Sequence, residues 1–457
     1  MKNNRLFKIL IIASSLLISG CEDKGDSTPV TPEPEDDTSI YIDVEAESFY
    51  LNKTYNLKFK YNDSFFKQSA KKFNNDLALL SFGHAFTSNS SNFTSKFLND
   101  IGFEDIEFSG YDVPTSVDTL GFALAKKKIN DFTVVGVFTR SLQYGLEWGN
   151  NFTIGTEGDH LGFSLRANEV KTSLENYIVS NCENENVKLW ISGYSRGGGI
   201  ANLLASLILR NNTLNVSQDN MFVYTFAAPN SVSVENAVAY ENVHNIVNKA
   251  DLVTNIPPNS YGLTRCGIDY DIYDKNLSNI MHDFDSEIEV SEFVTIQVKE
   301  GDDITDDKQL TSTIISDMSE EKQDKTKSAE TRELFVENYE TAIRNMIVRM
   351  FQLSSETIDE MLSALQQLGS SEILKIVYDN SGVRLMNLLK PYFDKDHISY
   401  DEDVLQGDCA DVIKAAFNIL LTPIMLFINE KYSGNLIRVI SMHFSDTYYA
   451  LFLNYIK

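Results

Sequence analysis

Apolar residues fall into two kinds of run along this chain. Short, nearly unbroken runs rich in β-branched and aromatic residues occupy 132–138, 187–191, 221–226 and 243–247, the pattern of strands buried on both faces. Residues 55–61 alternate apolar and polar side chains instead, as a half-buried strand does. Between these runs, apolar residues recur at three- and four-residue spacing over 65–84, 91–101, 162–180 and 200–209, which predicts helices. Strand and helix alternate, so the pattern predicts an α/β domain: a mostly parallel sheet with helices on both faces.

The strand at 187–191 and the helix at 200–209 enclose Gly193-Tyr194-Ser195-Arg196-Gly197. This is G-x-S-x-G with a strand entering and a helix leaving, the context of a nucleophile elbow. A turn that tight crowds the residues two before and two after the serine, and glycine removes the Cβ atoms that would collide. It raises Ser195 Oγ above the sheet edge and sets the Arg196 N–H at a helix start, where an oxyanion would be stabilised. The Arg196 side chain is open between a surface charge and a partner for a substrate anion. Ser141, Ser195 and Asp251 each follow the carboxyl end of a strand, the rim where such sheets bind ligands.

The rest of the pattern adds a second region. Residues 290–298 read as one more strand, and 300–330 as a highly charged, solvated stretch. Helical periodicity returns over 331–368, with Phe335, Tyr339, Ile343, Ile347 and Met350 on one face, and over 372–390 and 410–430. Together 290–435 reads as a mostly helical insertion, either a cap over the active site or a helical subdomain with no catalytic part. The apolar run at 419–427 fits core packing better than an acyl pocket.

Composition changes the picture at the N-terminus. Residues 1–20 carry Lys2, Arg5 and Lys8, then an apolar core over 9–18 that is too short to span a bilayer. Ile18-Ser19-Gly20-Cys21 resembles the bacterial lipobox, which implies cleavage before Cys21 and lipidation of that cysteine. Losing the three cations takes the formal net charge from −26 to −29. Residues 22–39 are acidic and Pro-rich with one aliphatic side chain, so they read as a tether, and 40–457 as the folded domain. The expected location is the extracytoplasmic side of a bacterial cell envelope, with the membrane reached through Cys21. The strong acidity argues against nucleic-acid partners. Cys182, Cys266 and Cys409 form neither a disulfide framework nor a zinc spacing.

Several motifs together resemble class 3 lipases of the α/β-hydrolase fold, and more narrowly bacterial lipase-like proteins with a Gly-Tyr-Ser-Arg-Gly elbow. These are the elbow, Phe226-Ala-Ala-Pro-Asn230, Asn248-Lys-Ala-Asp251-Leu-Val-Thr-Asn-Ile-Pro257-Pro258, the strand ending Thr139-Arg140-Ser141, and Gly162-Phe163. The resemblance covers about 55–270 and the last twenty residues. It implies Ser195 as nucleophile and Asp251 as triad acid, with an oxyanion hole from the Arg196 and Ser141 N–H groups. Two positions depart from the family: Thr254 stands where it usually has Pro, and no glycine follows Arg140.

The fold's order places the base after the acid, which leaves His282, His397 and His443, whereas His84, His160 and His244 precede Asp251. His443 lies just before a terminal helical pattern with Ser445 as a candidate N-cap and Tyr448, Leu451, Phe452 and Tyr455 on one face. His-x-x-x-x-Tyr there resembles the family's C-terminal pattern, so His443 is the expected base and His282 the runner-up. The resemblance implies a carboxylic ester hydrolase acting on a lipid or small ester, with no cofactor and no metal. An acyltransferase or peptidase on the same triad, and a non-catalytic surface binding protein, are the alternatives.

Overall fold

The structure is a computed structural model. It describes residues 39–457 apart from 48–53, 89, 112, 114–118, 142–146, 148–150, 152–153, 184, 213, 289–295, 297–303, 320–346, 349–350, 352, 368–381, 411 and 413–434. The signal, Cys21 and most of the tether lie outside the described residues, as do nearly all of the strand expected at 290–298 and much of the helical pattern at 331–346 and 413–430.

In chain order the strands are β1 (Ile40–Glu47), β2 (Thr54–Tyr61), β3 (Glu104–Ser109), β4 (Phe122–Ile129), β5 (Phe132–Thr139), β6 (Asn186–Tyr194), β7 (Met221–Phe226), β8 (Val232–Ser233), β9 (Val243–Val247), β10 (Leu263–Thr264) and β11 (Ile268–Asp271). The helices are α1 (Asn75–Thr87), α2 (Ser91–Asp100), α3 (Leu161–Asn181), α4 (Ser195–Asn211), α5 (Leu277–Phe284), α6 (Asp307–Ser319), α7 (Ser355–Gln367), α8 (Val383–Lys395), α9 (Leu436–Ser441) and α10 (Ser445–Tyr455). Seven strands form the central sheet in the order β11-β9-β7-β6-β5-β4-β3. From β5 to β11 the pairing is parallel, and β4 and β3 extend it antiparallel. This mostly parallel sheet, with helices on both faces and a strand–elbow–helix at its centre, is the α/β-hydrolase arrangement.

Strand alternation sends successive side chains to opposite faces. Trp190 joins Phe138, Phe226, Phe82 of α1 and Tyr449 of α10 in one core. Its neighbours Leu189 and Ile191 point the other way, to Val135, Val137 and the α3 and α4 residues Leu174 and Leu204. The hairpin of β1 and β2 packs on the first core through Ile42, Val44 and Phe59.

Two expectations change, and two strands were not anticipated. Residues 65–84 do not form one helix: a 3₁₀ turn at Asp63–Lys67 is separated from α1 by Asn74, whose side chain accepts from Leu77 N at 3.0 Å. That cap fixes the helix start beyond it. Strands β3 and β4 have weak sequence signals because β3 is acidic and β4 carries Lys126, Lys127 and Lys128. Two of those lysines run back to carbonyls, Lys126 to Asn181 O and Lys127 to Ile101 O, both at 2.8 Å. The last helix starts at Ser445 with Phe444 in the cap position, and Tyr455 is exposed at its far end.

His84 sits in the core beside Phe97 and Phe138, fully buried, with no hydrogen-bond partner on either ring nitrogen among the described residues. Burial pushes its pKa down from 6.5 to about 3. The folded value lies below the unfolded one, so its neutral form is fully tolerated above pH 6.5. Stability is then lost as pH falls from 6.5 toward 3, by about 2–3 kcal/mol at pH 4.5. His84→Phe should flatten the loss of stability between pH 7 and pH 4.5 by that amount, read from urea midpoints at the two pH values. An unchanged pH dependence would show that His84 is not buried as the neutral ring.

Candidate active site

At the centre of the sheet, Ser195 takes φ 52°, a left-handed conformation unusual for a residue with a side chain. The elbow around it is steric. A Cβ on Gly193 would lie 2.4 Å from Gly197 O, and one on Gly197 would lie 2.7 Å from Arg140 O. Thr139 Oγ1, at the end of β5, donates to Gly197 O at 2.9 Å and lies 3.2 Å from Ser192 O. The neighbouring strand therefore holds both sides of the turn.

Ser195 Oγ lies 2.8 Å from His443 Nε2, and His443 Nδ1 lies 2.8 Å from Asp251 Oδ2. The structure thus brings Ser195, His443 and Asp251 into one hydrogen-bonded line. With the ring proton on Nδ1 facing the carboxylate, Nε2 accepts from the serine hydroxyl. Asp251 is fully buried, whereas the His443 side chain is 21% exposed. The carboxylate is well supplied with donors: Tyr448 OH reaches Oδ2 at 2.8 Å and Val253 N reaches Oδ1 at 2.8 Å. Tyr448 OH in turn accepts from Asn248 N at 3.1 Å. Burial, reinforced by the Asp251 charge, holds the Tyr448 phenol well above its ordinary pKa, so it stays a donor.

The other candidate bases are elsewhere. His282 lies on α5, with Nδ1 3.4 Å from Ile288 O. His397 is exposed after α8. His244 bonds Ala70 O at 2.9 Å through Nε2 and Tyr270 OH at 3.1 Å through Nδ1. His160 caps α3, accepting from Phe163 N at 3.4 Å.

Arg196 is the second residue of α4, so its N–H lies at the end of the helix that favours negative charge. Ser141 departs from its expected part. Its N–H donates to Ser88 Oγ at 3.1 Å, and its own hydroxyl accepts from Tyr194 N at 2.9 Å. In this arrangement Ser141 fastens the end of β5 to α1 and to the elbow. The residues that follow it, 142–146, lie outside the described ones.

The Arg196 side chain is not on the surface. It is buried, and Nη1 pairs with Glu147 Oε2 at 2.9 Å. Arg140, after β5, pairs with the other carboxylate oxygen of Glu147 and stacks over Tyr111. Burial pushes the Glu147 carboxyl up, while the Arg196 and Arg140 charges oppose the shift. Glu147 carries no motif, so its role was not readable from sequence. Tyr194 is a similar case: its phenol donates to His443 O at 2.5 Å and ties the histidine turn to the elbow. Among the described residues, no group of His, Cys, Asp and Glu side chains is placed to hold a metal ion.

Residues 112–261 match the family model for lipase (class 3), and the chain is class 3 lipase-like over that range. The match supports ester hydrolysis as the class of activity. No curated protein matches the chain. Similar solved structures include a fungal lipase–inhibitor complex, at 18% identity over 45% of this chain and 83% of that one, with TM-score 0.35. The Rhizomucor miehei lipase–propeptide complex is 19% identical over 44% and 69%, with TM-score 0.36. A Yarrowia lipolytica lipase is 15% identical over 52% and 84%, with TM-score 0.31.

Removing the carboxylate takes away the charge that both buried guanidinium groups pair with. Glu147→Ala should therefore cost about 3–5 kcal/mol of folding stability. The measurement is the urea midpoint at constant m-value, and a cost below ~1 kcal/mol would mean that the cluster is hydrated.

Proposed function

From a class 3 lipase-like chain with this geometry, we propose a serine carboxylic ester hydrolase of lipase or esterase type. The observation that carries the reading is the Ser195–His443–Asp251 line, at 2.8 Å on each link. Ser195 Oγ attacks the ester carbonyl as His443 Nε2 takes its proton. The alkoxide leaves with that proton, and a water activated by the same nitrogen then frees the acid from Ser195. Asp251 holds the imidazole in the tautomer that accepts at Nε2 and stabilises the imidazolium that forms. The Arg196 N–H, at the start of α4, stabilises the oxyanion, and a donor of this kind is worth roughly 3–4 kcal/mol in the transition state.

The reading extends to location. The lipobox-like Ile18-Ser19-Gly20-Cys21 and the acidic stretch behind it support an enzyme tethered to the outer side of a bacterial membrane through a lipidated Cys21. Among the described residues, no helix is long and apolar enough to cross a membrane.

The test is hydrolysis of p-nitrophenyl esters of rising chain length by the 40–457 fragment, beside fluorophosphonate labelling. Ser195→Ala should abolish both while keeping the fold. His443→Ala should lower the rate by ~10⁴-fold or more, and His282→Ala and His397→Ala should stay near wild type. Wild-type protein that neither turns over esters nor takes the probe would point to a binding protein. Mass spectrometry of the membrane fraction should find a lipidated Cys21 at the mature N-terminus, and an unmodified cysteine there would end the anchoring proposal.

A further inference from the structure

Asp251 and His443 are 192 residues apart in the chain, and the segment between them includes a region that neither the lipase-like match nor the sequence resemblance covers. The first described helix of the 290–435 insertion, α6, touches both of the turns that carry the two residues. On the acid side, Thr311 Oγ1 donates to Ala250 O at 2.6 Å, one residue before Asp251, in a buried bond. On the base side, the Asp307 carboxylate meets the Arg438 guanidinium through two atoms, with Nη2 to Oδ2 at 2.7 Å, and both side chains are almost fully buried. Arg438 belongs to α9, whose last turn leads into His443 through Met442 N to Arg438 O and His443 N to Ile440 O. An apolar contact closes the arrangement: Leu310 and Ile314 of α6 pack with Leu252, next to Asp251, and with Val439 of α9. Asp306 seats the start of the helix by accepting from Gln309 N at 2.9 Å, and Lys308 adds an ion pair to Asp271 at 2.9 Å.

We propose that α6 is a brace for the catalytic line, with Asp307 and Thr311 as positioning residues that set the Asp251 turn against the His443 turn. The physical case is geometric. A two-point Arg–carboxylate pair fixes direction as well as distance, and a buried hydroxyl-to-carbonyl bond fixes the neighbouring turn. Neither residue touches Ser195, His443 or a substrate, so each acts through the turns it holds. A displacement of about 1 Å at a catalytic group is enough to cost ~10²-fold in rate. The insertion then does more than pack beside the sheet, because its first described helix spans the two loops that must meet for the line to form.

The inference rests on the serine-hydrolase reading for its kinetic effect, and the experiment separates the two. Asp307→Asn and Thr311→Val are assayed at a temperature well below each variant's melting point. Each should lower kcat about ten- to a hundredfold with KM changed less than twofold, and slow fluorophosphonate labelling in parallel. The pair Asp307→Arg with Arg438→Asp should recover part of the kcat lost in either single variant. Hydrogen–deuterium exchange, which needs no activity, should show 248–256 and 435–448 loosening together in both single variants, with β5 to β7 unchanged. A wild-type kcat with unchanged exchange at both turns would overturn the brace, as would a lower melting temperature with kcat intact. If wild-type protein is inert to ester and probe, the hydrolase reading fails, and the exchange pattern alone decides for or against the brace.

Discussion

The rest of the site depends on one steric fact: the chain turns at Ser195 with a positive φ, and the carbonyl of Gly197 occupies the space a Cβ on Gly193 would need. A left-handed residue with a side chain is costly, and such conformations persist only where the surroundings over-determine them. Here the surroundings are visible. Thr139 bonds one side of the turn, Ser141 Oγ takes the Tyr194 N–H, and Gly198 and Gly199 let α4 approach Phe226 and Phe163 without a clash. β5 and its neighbour β6 therefore act as one support. It fixes the serine hydroxyl and the start of α4 together.

Those partners come from distant sequence, and polar bonds rather than apolar area set their register. Asn248 shows how. Its N–H reaches Tyr448 OH, its side chain donates to Met442 O at 3.1 Å, and its Oδ1 accepts from Ala250 N at 3.0 Å. One residue thereby fastens the acid turn to both flanks of His443. Tyr194 repeats the device from the elbow side. Thr254, in place of the family's usual Pro, compensates locally: its hydroxyl bonds Asp251 O at 2.9 Å, so the turn is held without the ring. Each of these groups would be expensive to bury alone. Their mutual satisfaction is what makes a polar centre tolerable inside a sheet whose two faces are otherwise apolar.

Four of the five parallel strands were legible because β5, β6, β7 and β9 carry nearly unbroken, largely buried apolar runs, whereas the exposed to half-buried edge strand β11 was not. The sequence did not reveal β3, an acidic edge strand, or β4, whose apolar start is broken by Lys126, Lys127 and Lys128. The elbow was readable because sterics restrict it to glycine at 193 and 197. His443 was readable from chain order and from its place before the last helix, where the structure sets it 2.8 Å from Ser195 Oγ. The Ser141 expectation differed for a physical reason: a motif says which residues lie near a turn, not where each N–H points, and this one is spent on Ser88. Glu147, Arg196 and Asp307 were illegible as partners. A buried ion pair leaves no periodic trace, and its two members are far apart in sequence.

Asp251 has no exposure to water, yet its oxygens take three donors: the His443 ring, the Tyr448 phenol and the Val253 N–H. These hydrogen bonds leave the side chain no freedom to rotate away from the imidazole. In the proposed reaction, Asp251 therefore serves as a fixed negative charge for the imidazolium and not as a proton acceptor. The partly exposed ring lies between this dry anion and the serine hydroxyl, so the moving proton stays on the serine side of His443. The turns that aim the ring, 248–254 and 438–448, are accordingly where many of the described polar bonds converge.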